Sequence, residues 1–142
     1  MSPPSPEWES FARTLVADLA GEFGGNVEES RFTERLLNFE IVPPNPRATG
    51  IGVLVSPGEV VVFAGEGSRF ELPALPGGST EVDAVARAIA KGRLSELLQG
   101  RRIQGTLVLE DGRVLQSDVW GAQQRPVKKR TLQYEPFGLS EP

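Results

Sequence analysis

The chain is expected to be an α+β fold: a mainly antiparallel sheet of about six strands with two helices packed on one face. Three features predict it. Apolar residues recur at helical spacing in two separate stretches, near the N-terminus and around residue 85. Short β-branched runs lie between and after them. Pro-Gly and Asp-Gly pairs join those runs at hairpin spacing, which favours antiparallel pairing. The predicted order is α-β-β-β-β-α-β-β.

The first helix spans 6–23. Ser5 suits the cap, and Pro6 suits the first helical position, where a missing N–H costs nothing. Trp8, Phe11, Ala12, Leu15, Leu19 and Phe23 form its apolar stripe, and Gly24 and Gly25 stop it. A short strand is expected over 27–32. A stronger one covers 36–42, where Leu37, Phe39 and Ile41 share a face. Pro43, Pro44 and Pro46 then force a loop. Residues 51–55 and 60–64 make a hairpin around Pro57-Gly58. Another strand follows the Gly65-Glu66-Gly67 turn, over 69–72.

Thr80 is the expected cap of the second helix, with Asp83 three residues on. Val82, Val85, Ala86 and Ile89 are its buried stripe. Gly92 interrupts the period, and a short further helix is expected to run to Gln99 and stop at Gly100. Residues 103–109 and 113–120 flank Asp111-Gly112, a two-residue hairpin signal. That register sets Leu109 opposite Val114 and Glu110 opposite Arg113. It also puts Val108 with Leu115 on one face. A last strand is expected over 127–134. Residues 1–142 read as one domain, with 1–5 and 136–142 as flexible ends.

Composition excludes several chemistries. The chain has neither cysteine nor histidine. Disulfides, thiolate nucleophiles, Cys-based metal sites and Ser-His or Cys-His catalysis are therefore out. The glycine pairs Gly50-Ile51-Gly52 and Gly65-Glu66-Gly67 lack the third glycine and the strand-to-helix context of a dinucleotide loop. Carboxylate-only catalysis stays open, but Glu110-Asp111 sit in a turn, where solvation and turn propensity account for them. No metal and no cofactor are expected. The opening MSPPSPEWES has no cationic region followed by an apolar one, and no run is long enough to span a membrane. The reading is a non-enzymatic, cytoplasmic protein.

Charge is unevenly placed. Residues 1–86 carry 13 acids and 5 bases, whereas 87–130 carry 10 bases and 4 acids. Such asymmetry often marks a binding face, although folding can interleave the halves. Within QQRPVKKRTLQ lie Arg125, Lys128, Lys129 and Arg130, with Trp120 and Tyr134 on either side. The cations can guard an exposed strand edge, grip an acidic protein, or hold nucleic acid. A net charge of −4 for the whole chain weighs against nucleic acid. The candidate partner-binding residues are Trp120, Arg113, Arg125, Lys128, Lys129, Arg130 and Tyr134.

The stretch GGSTEVDAVARAIAKGRLSELLQGRRIQGTLVLEDGRVLQSDVW, residues 77–120, resembles small proteins of high-GC bacteria, some of the kind that serve as immunity partners of polymorphic toxins. The likeness covers about a third of the chain and transfers no functional residue. It implies an inhibitor that docks on a toxin and blocks its site. The expected function is thus a protein-binding module, immunity-like, inhibitor-like or chaperone-like, whose partner is a protein such as a toxin or secreted effector. Nucleic-acid binding through 125–130 is the second reading, and a carboxylate-based enzyme or small-ligand binder the third. No membrane partner is expected, and an edge strand also allows a homodimer.

Overall fold

The computed structural model describes Arg13, Thr14, Ala17 and Gly21, and residues 27–32, 37–56, 59–73, 78–121 and 127–136. Those first four residues are helical. The rest of the helix expected over 6–23, with Trp8, lies outside the described residues. So do the Pro57-Gly58 turn, Arg125 and the segment 137–142.

Strands β1 (Val27–Phe32), β2 (Leu37–Ile41), β3 (Ile51–Ser56), β4 (Glu59–Ala64) and β5 (Ser68–Pro73) form one antiparallel sheet in chain order. Helix α1 (Gly78–Ala90) carries the chain to a second sheet. It contains β6 (Leu94–Gly100), β7 (Arg102–Val108), β8 (Val114–Trp120) and β9 (Val127–Gln133), in the order β8-β7-β6-β9. This corrects the expected architecture. The fold is mostly β, with two antiparallel sheets rather than one, and α1 is the one helix described from end to end.

The alternation of apolar residues explains the inner faces. Phe39, Val53, Val62 and Phe70 are register partners across β2 to β5, and all four are buried. Leu94 pairs with Leu107, and Leu107 with Leu115, across the second sheet. Val82, Val85, Ala86 and Ile89 of α1 join the same core, as their helical spacing predicts. The sheets meet where β5 lies along β8, and α1 packs on β4, β5 and β7. Truncating a fully buried core side chain such as Leu107 to Ala costs about 2–5 kcal/mol in this setting.

Two corrections concern the segment after α1. Residues 94–99 form a strand, not a further helix. Leu94, Glu96 and Leu98 are buried while Ser95 and Leu97 are half-buried, so the period is two. Leu, Glu and Gln favour helix weakly, and pairing with β7 on one side and β9 on the other overrides that preference. Thr80 is not the cap either, since the helix already begins at Gly78.

A third correction is a register. Gly112 N donates to Leu109 O at 3.0 Å, and Leu109 N donates to Arg113 O at 2.8 Å. Leu109 therefore faces Arg113, and Val108 pairs with Val114. This is a three-residue loop with glycine alone at positive φ, +92°. Asp111 keeps negative φ and accepts from Arg113 N at 3.0 Å, which closes the turn. The slip of one residue puts Val108 and Val114 together on the outer face and turns Leu115 inward.

Candidate functional site

One end of the second sheet, its tip, gathers most of the predicted partner-binding residues. The β6–β7 turn lies there, with Gly100 at φ +61° and Arg101 exposed. Gly121, just past β8, donates its N–H to Arg101 O at 3.0 Å and ties the end of β8 to that turn. In the register, Arg102 stands directly opposite Trp120. Both side chains lie on the outer face by alternation, as does Asp118.

Trp120 is 70% exposed, yet its ring is held. The Arg102 guanidinium lies 4.6 Å from the ring centroid. That guanidinium is itself clamped, with Nε donating to Asp118 Oδ1 at 2.8 Å and Nη2 to Oδ2 at 2.7 Å. The hydrogen bond from Arg102 holds the Asp118 carboxyl below its usual range, and the reciprocal bond raises Arg102. One face of the indole thus lies against the clamped Arg102 guanidinium.

Lys128, Lys129 and Arg130 are all exposed on β9, an edge strand. Leu98 pairs with Arg130 but Gly100 pairs with Val127, so Lys128 and Lys129 together face the single residue Gln99. A bulge and three cations are devices that discourage a further strand from pairing with this edge. Strands lie about 4.8 Å apart, so β9 sits about 14 Å across the sheet from β8 and Trp120. Arg101 lies in the turn between β6 and β7, within that span.

Two predicted residues belong elsewhere. Arg113 lies at the opposite end of the second sheet, bonded to Asp111 at 2.7 Å and to both Glu81 oxygens at 2.9 and 3.2 Å. It staples the β7–β8 loop to the first turn of α1. Tyr134 turns inward and donates its hydroxyl to Glu96. Burial, then the bond to Glu96, pushes the Tyr134 hydroxyl well above its usual range. It is not a free stacking surface beside the cations.

Glu96, which sequence reasoning passed over, is the centre of a second polar cluster. It is 1% exposed. Its carboxylate accepts from Glu66 N at 2.8 Å, Gly67 N at 3.2 Å, Ser68 Oγ at 2.6 Å and Tyr134 Oη. Gly65 sits at φ +65° against this carboxylate, where a Cβ would stand 2.3 Å from Oε1. Only glycine fits. The cluster ties the β4–β5 turn of the first sheet to β6 and to the residue after β9. Four donors surround the carboxylate, an arrangement that fastens structure rather than one that receives substrate. The signal was present in LSELLQG: read as a strand, it places one acid on the buried face between Leu94 and Leu98.

The third reading, paired acids in a pocket, gains nothing from the surface. A groove of about 490 Å³ over β2, β3 and β4, lined in part by Glu40, Phe63 and Glu66, is an open trough. Among the described residues no group of three or more acids is placed to hold a metal ion. Among them, too, no helix is long and apolar enough to cross a membrane. No family model, curated protein or solved structure matches the chain.

Proposed function

We propose that the protein is a non-enzymatic, cytoplasmic binding module that docks on a partner protein through the tip of its second sheet. Trp120 is the anchor. The observation that carries this reading is an indole left 70% exposed while Arg102 and Asp118 hold it in one orientation. An exposed large aromatic ordered before binding loses little entropy on docking, and tryptophan is the residue type most enriched where interface energy concentrates. The docking mode is that of an inhibitor or immunity protein, as the resemblance of residues 77–120 implies.

The experiment compares tagged wild type and Trp120→Ala in parallel purifications from native lysate, followed by affinity measurement on the captured partner. Loss of at least about 2 kcal/mol of binding, roughly thirtyfold in Kd, is expected for an anchor of this kind. The melting temperature should not change. Equal affinity of the two proteins for the same partner would remove Trp120 as the anchor, and the docking reading with it.

A further inference from the structure

Most of the described cations fall into two groups. Arg47, Arg69, Arg87, Lys91, Arg102 and Arg113 each form an ion pair with Glu135, Glu71, Asp83, Glu110, Asp118 and Glu81 respectively. Arg93, Arg101, Lys128, Lys129 and Arg130 form none among the described residues, and all five are exposed. Arg93 lies at the loop end, just before β6, whereas the other four share the tip, because Gly100 pairs with Val127 and Leu98 with Arg130 across β6 and β9. In a chain of net charge −4, this end carries positive charge that no acid among the described residues compensates.

Resting on the docking reading above, we infer that the partner presents a carboxylate-rich protein surface to this tip. Arg101, Lys128, Lys129 and Arg130 recognise its acids, while Arg102 serves only to position Trp120. Arg102 has no charge to spare, since both Asp118 oxygens face its Nε and Nη2. Lys128 and Lys129 stand about 14 Å across the sheet from the indole, Arg101 lies in the turn between, and Arg130, opposite buried Leu98, lies toward the other face; together they steer an acidic surface to this end of the sheet. Nucleic acid fits less well. Its binders carry several free aromatics along a basic groove, whereas Tyr134 is turned inward and Trp120 has one face against Arg102.

The test uses the full chain, with immobilised poly-L-glutamate and poly(dT) as probes at low salt. Wild type should bind poly-L-glutamate. The variant Arg101→Ser/Lys128→Ser/Lys129→Ser/Arg130→Ser should bind it about tenfold more weakly or worse, with its melting curve unchanged. The charge-neutral pair Arg113→Gln/Asp111→Asn, at the far end of the sheet, should stay within about twofold of wild type, because that pair contributes no net charge. Three results overturn the inference: no binding by wild type, equal binding by the fourfold variant, or tighter binding to poly(dT) than to poly-L-glutamate. The last would reassign the tip to nucleic acid. These probes need no partner, so their failure is separable from failure of the Trp120 anchor.

Discussion

The second sheet has two ends built from the same residue types, and they do opposite things. At the loop end, Arg113 meets Asp111 and Glu81, and Lys91 meets Glu110, so these two are spent on holding a loop against α1, and Arg93 alone is left exposed without an ion pair among the described residues. At the tip, one arginine is spent on Asp118 and holds an exposed indole, while four other cations stay unpaired among the described residues. Behind the loop end lies the Glu96 cluster, which joins the two sheets. The lesson is that an Arg–carboxylate pair is not a functional signal in itself. What distinguishes the ends is the exposed tryptophan at one and the buried acceptor behind the other.

The comparison breaks most visibly at Glu96. Glu96→Ala should lower stability by about 3–5 kcal/mol, because two backbone N–H groups and two hydroxyls lose their shared acceptor. Urea unfolding followed by circular dichroism measures it. A loss no larger than that of an exposed substitution would show that the cluster does not join the sheets.

A middle-sized effect concerns the tip under acid. The folded-state pKa of Asp118 is lowered, chiefly by the hydrogen bond from Arg102. The clamp is therefore fully present above the ordinary value of 3.8 and is lost as pH falls through the lower folded value. In a Trp8→Phe background, which leaves Trp120 as the sole indole, emission should stay constant from neutral pH down to 3.8 and change only below it. A transition near neutrality would mean that Asp118 is not what orders the stack.

The smallest effect is expected at Arg113. Its pairs are solvent-exposed, and such pairs add little to stability and weaken further in salt. Arg113→Ala should lower the melting temperature slightly at low salt and less at high salt, with binding at the tip unchanged. A change in partner affinity would return Arg113 to the binding site.

Much of the fold was legible because several segments obey one period without competition. Phe39 and Ile41 alternate inward as expected, and the stripe of α1 is buried as its spacing requires. Residues 94–99 were not legible. Leu94 and Leu98 lie four apart, a spacing that fits one helical turn and also two steps of a strand. The Asp111-Gly112 loop was recognised, but its length was not, since the same pair serves two-residue and three-residue hairpins. The choice went to the arrangement in which Asp111 Oδ1 accepts from Arg113 N and only Gly112 takes positive φ.

The site divides in the same way. Trp120 and the cations of 128–130 stood out as residue types, but Arg113 and Tyr134 stood out equally. The hairpin reversal carries Arg113 to the far end of the sheet, and alternation along β9 turns Tyr134 inward behind Leu132. Asp118 gave no signal, because its partner Arg102 lies 16 residues away and reaches it only across the β7–β8 pairing.

By itself, then, the amino-acid sequence determined the strands of the first sheet, the helical stripe of α1, the hairpins and the absence of histidine and cysteine chemistry. These depend on periods, turn residues and residue inventory, all of which are local. Only the tertiary structure decided that there are two sheets, that Glu96 is buried among four donors, and that four unpaired cations and one exposed indole lie at the same end of the second sheet. Each of these depends on strand pairing between segments distant in the chain, and the free energy that selects a pairing comes from burial and hydrogen bonding that no single segment contains.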